Sequence, residues 1–362
     1  MKLSTKIIVI GGGPAGAVIA RELAKSEMDV IVLEANEFPC QKPGDCLPPN
    51  IKPLLRKLQL EHLISIHKQS YSNQSVWGSD VMKEEDFISG IHGSGIHINR
   101  KLFEIDLAQE ARKSGVIWLN NHVLKDCVRI NDEWHLDVSY AGEKKSLVAD
   151  FIVDASGRKS VVGRYLNTKR DVLDKLVGIS AVFTRKPILS SSTLIEAFSQ
   201  GWWYSASLPG NQLIISLMTD SDLVSNLEAN KSDGFEALLY RTKYTKDRVE
   251  ESMGTIINNV SVLKVDAANS SRLKQIVGEG WIAIGDAACT YDPLSSYGIT
   301  AAIGTAYYGS CAIRDHFLGK KESFLAYNYL MDKMYATYLP LIKAAYRQEK
   351  RWGDNVFWKR RS

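Results

Sequence analysis

At 362 residues the chain is long enough for two domains. Its 45% apolar and 24% charged residues exclude a disordered chain. Lys and Arg number 45 against 41 Asp and Glu, and a net charge of +4 is too small to point to a nucleic-acid partner. The basic run Lys359-Arg360-Arg361 reads as a short solvated tail. Five cysteines at irregular spacing make neither a disulfide scaffold nor a zinc site, so reduced thiols are expected. A strand-like run from Lys6 stands where a signal peptide would, and no apolar stretch nears the roughly 18 residues of a membrane span. A cytoplasmic protein without a membrane or nucleic-acid partner is expected.

The first forty residues read as one β-α-β unit. Ile7 to Ile10 is a β-branched run of the kind found in buried parallel strands. Gly11-Gly12-Gly13-Pro14-Ala15-Gly16 is the turn, and Ala17, Ala20, Leu23 and Ala24 recur at helical spacing. Asp29 to Leu33 is the second strand, followed by Glu34 and Ala35. In Gly11-x-Gly13-x-x-Gly16 the first glycine permits the tight turn. The second lets backbone approach a pyrophosphate, and the third lets helix and strand pack closely. Glu34 lies 18 residues beyond Gly16, where a carboxylate can accept ribose hydroxyls. The bland alternative is a glycine-rich turn with a surface glutamate.

Residues 60–95 have no clear period. Asn99 to Lys113 reads as an amphipathic helix with Leu102, Ile105, Leu107, Ala108 and Ala111 as its apolar stripe. A strand at Val116–Leu119 follows, then a meander through Trp134–Tyr140 that returns by Phe151-Ile152-Val153 to Asp154-Ala155-Ser156-Gly157. From about 172 to 265 the texture is antiparallel, with strands at Ser191–Phe198, Trp202–Leu208 and Gln212–Met218. Trp202 and Trp203 straddle one strand, so both can be core residues, or one can face a bound ligand. Trp281 to Ile284 is a further buried strand before Gly285-Asp286, and the chain from about 320 is helical. His62, His67, His92 and His97 share no metal-ligand spacing, and no metal is expected.

The segment Phe151 to Gly157 resembles the aspartate–glycine motif of flavoprotein monooxygenases, and Trp281 to Ala288 resembles their glycine–aspartate motif. The resemblance implies FAD held by Gly11, Gly13, Pro14, Ala15, Gly16, Glu34, Ala35, Arg100, Asp154, Gly157, Gly285, Asp286, Gly298 and Ile299. Asp286 matches the residue that accepts a ribityl hydroxyl, and Arg100 the arginine near the pyrophosphate. There is no second GxGxxG before a helix, since Gly90-x-x-Gly93-x-Gly95 has the wrong order, so a disulfide reductase with two nucleotide domains is not expected. Cys40 and Cys46, a Cys-x5-Cys pair, read as structural thiols rather than a redox pair. The implied fold class is α/β: an FAD-binding Rossmann-like domain of the p-hydroxybenzoate hydroxylase and glutathione reductase type, an antiparallel β-sheet substrate domain, and C-terminal helices. The expected boundaries are 1–59, 96–171 and 262–318 for the FAD domain, 60–95 and 172–261 for the substrate domain, and 319–362 for the helical segment.

Lys42 to Pro49 and Asp292-Pro293-Leu294-Ser295-Ser296-x-Gly298 resemble segments of flavin-dependent tryptophan halogenases. Two features depart from them. Tyr204-Ser205-Ala206-Ser207-Leu208-Pro209 replaces their Trp-x-Trp-x-Ile-Pro, and only Lys68 lies near the position of their catalytic lysine. The chain also resembles a small group of flavoproteins, including LodB and GoxB, that mature the tryptophylquinone of amino-acid oxidases. That resemblance implies hydroxylation of an indole ring, with the precursor of a quinoprotein amino-acid oxidase as partner and molecular oxygen and an electron donor as co-reactants. Asp45, Pro293, Ser296 and Gly298 are the expected catalytic positions, and Trp202, Tyr204 and Pro209 the expected substrate lining. A small-molecule aromatic hydroxylase, a tryptophan halogenase and a non-catalytic flavin-binding chaperone are the alternatives.

Overall fold

The computed structural model describes residues 3–37, 46–87, 90–184, 191–253 and 263–362. Its first sheet grows from the β-branched run near the amino terminus. Strand Leu3–Ile10 lies between the parallel strands Val30–Leu33 and Glu143–Asp154, with Ile117–Leu119 and Trp281–Ala283 parallel outside them. Ile7, Ile8, Val9, Val32 and Ile152 are fully buried because helices or strands cover both faces. The crossover helix α1 (Pro14–Ala24) packs against α2 (Arg100–Lys113) and α3 (Gly298–Phe317). Asn99 caps α2 by accepting the amide of Leu102 at 3.1 Å. The α2 stripe is rotated from the expected one. Phe103 and Glu104 are buried beside Leu107, Ala108 and Ala111, while Leu102 turns outward, since the Arg100–Glu104 pair occupies the inner face.

The second sheet has seven strands among the described residues, in the order Lys264–Ala267, Leu176–Thr184, Gln212–Asp220, Gly201–Leu208, Thr193–Phe198, Ser72–Val76 and Lys83–Asp86. Residues 60–95 are divided between the two halves. Leu60, Leu63 and Ile64 pack into the core of the first sheet, whereas 72–86 extend the second. A small sheet joins Cys46–Leu47, Gly95–His97 and Lys68–Ser70.

Helices α4 (Ser323–Arg347) and α5 (Val356–Lys359) bind the halves together. Tyr327, Tyr335, Tyr338 and Tyr346 turn inward from α4. Phe357 and Trp358 of α5 share a buried cluster with Trp202 and Tyr346, and the Trp358 indole donates to the carbonyl of Phe198 at 2.9 Å. The basic run at 359–361 is therefore only partly a solvated tail, since Lys359 and Arg360 stay exposed while Arg361 does not. Apolar burial brings it down onto the sheet, where Arg361 meets the buried Asp220 carboxylate at 2.6 Å and Arg360 meets Asp220 and Asp222 at 2.7 and 2.9 Å. Among the described residues no helix is long and apolar enough to cross a membrane.

Trp358→Ala empties a fully buried site and leaves the Phe198 carbonyl without its donor. A loss of about 3–5 kcal/mol is expected in urea denaturation. An unchanged midpoint would mean that the last turn does not belong to the cooperative unit.

Candidate active site

The glycine turn is held by backbone contact. Gly11 has φ +104°, and a methyl group on it would lie 2.4 Å from the carbonyl oxygen of Ala155. On Gly16 a methyl would lie 1.9 Å from the Gly11 oxygen, so neither position admits a side chain. Gly13 is different: nothing lies within 4 Å of its missing Cβ, and the turn is open there. Helix α1 begins at Pro14 with no side-chain cap, so the first-turn amides around Ala15 and Gly16 are available to a phosphate. Glu34 is buried at the end of the second strand. Its Oε2 accepts the amide of Gly12 at 2.8 Å and its Oε1 that of Asn36 at 3.0 Å, which fixes the carboxylate beside the turn and next to the exposed Ala35.

The glycine–aspartate motif meets this turn directly. A methyl on Gly285 would touch Ala15 at 2.9 Å and Ala302 at 3.6 Å, so the starts of α1 and α3 converge on it. Asp286 follows, with one side-chain oxygen 3.7 Å from Arg158 Nε and 35% of the side chain exposed. Loss of solvent raises its carboxyl above the ordinary value, against the opposing pull of Arg158, Arg100 and Arg170. Each guanidinium is tethered. Arg100 bonds Glu104 at 2.6 Å, Arg158 donates to the Asn269 carbonyl at 2.7 Å, and Arg170 donates to Ser271 Oγ at 2.8 Å and to the Asp286 carbonyl at 3.2 Å. Arg158 and Arg170 were not anticipated from sequence. Arg158 adjoins Gly157 in the aspartate–glycine motif and could have been found there; Arg170 carried no signal.

Asp154 ends the strand that precedes Gly157. It is fully buried, accepting the amides of Ser156 and Gly163 at 3.1 Å and the Ser156 hydroxyl at 2.5 Å. These donors make Asp154 a brace for the loop that carries Gly157.

The third element is the segment Asp292–Gly298. Asp292 Oδ1 accepts the amide of Leu294 at 2.9 Å, Pro293–Ser295 form one 3-10 turn, and Ser296 sits at φ +50°. Gly298 then opens α3 with no side-chain cap and nothing within 4 Å of its missing Cβ. Ile299 beside it is buried, and the Thr300 hydroxyl is buried with no partner among the described residues. Burial also pushes the carboxyl of Asp292 up to about 6.

The expected substrate wall is only partly assembled. Trp202 and Trp203 are both buried. Trp203 packs on Phe235, with ring centroids 5.0 Å apart, and Trp202 donates to the Tyr346 hydroxyl at 3.0 Å. Trp202 is therefore a core residue and not lining, because α4 and α5 cover its face of the strand. Tyr204 and Leu294 pack at the edge of the same cluster, and Pro209 lies in the turn after the strand. In the small sheet Cys46, His97 and Lys68 share one register row, and Thr193 Oγ1 lies 3.0 Å from His97 Nε2 and 3.6 Å from Cys46 Sγ. Asp45 and Cys40 lie outside the described residues.

Two open glycine positions, two uncapped helix starts, an unpartnered buried hydroxyl and an accessible carboxylate suit an extended flavin dinucleotide. Asp286→Ala is expected to weaken FAD by about 1–3 kcal/mol and Glu34→Ala by about 1.5–3 kcal/mol, measured by equilibrium titration of the apoprotein. Unchanged affinity in either variant removes that residue from the site.

The model of the FAD binding domain family matches residues 4–329. LodB of Marinomonas mediterranea, described as an FAD-dependent oxidoreductase, is 29% identical over 98% of this chain and 96% of its own length. The myxobacterial chondrochloren halogenase CndH superposes with a TM-score of 0.88 at 20% identity, covering 99% of this chain and 86% of its own. QhpG, a peptidyl tryptophan dihydroxylase essential for tryptophylquinone cofactor biogenesis, superposes with a TM-score of 0.80 at 19% identity, covering 99% of this chain and 78% of its own. The chain belongs to the FAD binding domain family: it is a flavin-dependent oxidoreductase with the halogenase and hydroxylase fold, and FAD is its cofactor.

Proposed function

We propose that this flavoprotein is a monooxygenase that hydroxylates the indole ring of a tryptophan within a partner polypeptide, the precursor of a quinoprotein amino-acid oxidase. The observation that carries the reading is the union of the FAD frame with end-to-end similarity to LodB, 96% of whose length is matched. QhpG, whose substrate is a peptidyl tryptophan, supports a protein substrate on this fold.

When bound and reduced, FAD supplies the activation of molecular oxygen. The chain's own residues bind, orient and polarise. The amides at the start of α1, beside the open Gly13, take the pyrophosphate, with Arg100 nearby as its charge partner. Glu34 accepts ribose hydroxyls and Asp286 a ribityl hydroxyl. The amides of Gly298 and Ile299 at the start of α3 would hold the flavin ring, and the helix terminus would favour the negative charge of its reduced form. Pro293 and Ser296 hold that terminus in place. Tyr204 and Pro209 border the substrate.

The halogenase alternative keeps one observation in its favour, the CndH fold, but requires a lysine at the substrate. Lys68 stands on its strand opposite His97, and the strand Ser72–Val76 that follows carries no lysine.

A ring presented by a protein is enclosed partly by that protein's own surface, whereas a free amino acid needs a closed pocket to expel water. Free tryptophan is therefore expected neither to bind measurably nor to accelerate oxygen consumption by the reduced holoenzyme. The unmodified precursor should do both, and its tryptophan peptide should gain oxygen by mass spectrometry. Stoichiometric hydroxylation or chlorination of free tryptophan would transfer the assignment to a small-molecule enzyme.

A further inference from the structure

We propose that Tyr346 and Tyr338 of α4 are positioning residues for the flavin. By holding Asp292 they set the Pro293–Gly298 loop, and the helix terminus that it starts, against the flavin ring. The inference rests on the reading that this loop faces the flavin.

Asp292 is 2% exposed and is held at both ends. Its Oδ2 accepts the Tyr346 hydroxyl at 2.8 Å, and its amide donates to the Tyr338 hydroxyl at 2.8 Å. Each tyrosine is fixed in turn. Tyr346 accepts the indole N–H of Trp202 at 3.0 Å, and the Tyr338 hydroxyl lies 2.8 Å from Ser270 Oγ. The loop beyond hangs from this one residue. The Leu294 amide bonds Asp292 Oδ1, and the Ser295 amide and hydroxyl bond the Asp292 carbonyl at 3.0 and 2.7 Å. The Ser296 amide closes on Pro293 at 2.9 Å, and that of Tyr297 on Ser295 Oγ at 3.3 Å. Moving Asp292 therefore moves the start of α3. A helix start interacts more strongly with an anionic ring than with a neutral one, so displacement weakens the reduced flavin more than the oxidised one. The tyrosine rings are packed independently of their hydroxyls, Tyr338 on Tyr291 at 4.9 Å and Tyr346 on Trp77 at 5.8 Å between centroids. Replacement by phenylalanine thus removes the grip and keeps the packing.

The test compares FAD-loaded wild type with Tyr346→Phe and Tyr338→Phe by anaerobic redox titration against a reference dye, by the visible spectrum of the bound flavin, and by ADP affinity of the apoprotein. ADP probes the Gly13 and Glu34 end alone. Tyr346→Phe is expected to lose about tenfold of its preference for reduced over oxidised flavin, which moves the two-electron potential about 30 mV more negative. Its flavin band should shift and its ADP affinity should stay unchanged. An unaltered potential and spectrum overturn the positioning role, and so does a potential change accompanied by an equal loss of ADP affinity, which marks general loosening. Should Tyr346→Phe fail to fold, Tyr338→Phe must give the same split, and its absence is equally decisive. A wild-type protein whose bound FAD has the spectrum and potential of free FAD overturns the underlying reading, whatever the variants do.

Discussion

Backbone pressed on backbone at the carboxyl ends of three parallel strands is the constraint on which the rest depends. Ile10 is in register with Asp154, and Asp154 with Ala283, so the three strands end together. Beyond them Gly11 turns under the Ala155 carbonyl, Gly16 lies on the Gly11 carbonyl, and Gly285 lies against Ala15. No side chain fits between these segments. Two helices can therefore begin within reach of one ligand, as ligands of open α/β sheets require at strand ends. A methyl group at Gly11 or Gly16 would force apart the strand and helix whose closeness makes the phosphate site.

The carboxylates around this crossing have separate uses, set by their surroundings. Asp154 is sealed and held by internal donors, and Asp292 is sealed but tied to a distant helix. Glu34 and Asp286 sit at the two ends of the turn. The first is partly satisfied by Gly12, and the second is one-third exposed beside tethered guanidiniums. Those guanidiniums, with the start of α1, favour a ligand carrying negative charge. The chain as a whole is nearly neutral, so this potential is local and a composition count does not register it.

What the sequence made legible was local in origin. The β-α-β unit, the role of its three glycines, the meander and the antiparallel strands each follow from periodicity or turn chemistry within about a dozen residues. The illegible parts depend on what lies opposite. Alternation places Trp202 and Trp203 on opposite faces of their strand. Trp77 and the arriving Tyr346, Phe357 and Trp358, all remote in sequence, bury the first of them. The Asp154 carboxylate sits in a motif that suggests a ligand, and the donor from Gly163 appears only when the loop that carries it is closed. The run Lys359–Arg361 has the composition of a solvated tail, and the buried Asp220 that receives it is remote in sequence. The rotation of the α2 stripe has the same cause, since helical period alone does not reveal that an Arg–Glu pair occupies the inner face.

The C-terminal helices make the two sheets one mechanical object. Sheets joined only by short connections are expected to shift relative to each other unless a sizeable apolar contact fixes them. Here the contact is aromatic: Trp77, Trp202, Tyr346, Phe357 and Trp358 form one cluster on the second sheet, and Tyr346 leaves it to reach Asp292 beside α3. The strand Gly201–Leu208 and the loop Pro293–Gly298 are thereby referred to the same helix. In the proposed reaction, one strand borders the arriving ring and the loop borders the flavin. Productive geometry tolerates errors of well under 1 Å. A partner protein delivering a tryptophan brings a surface of its own that cannot adapt freely, so the burden of registration falls on the enzyme. An aromatic strap between the substrate strand and the flavin loop meets that burden.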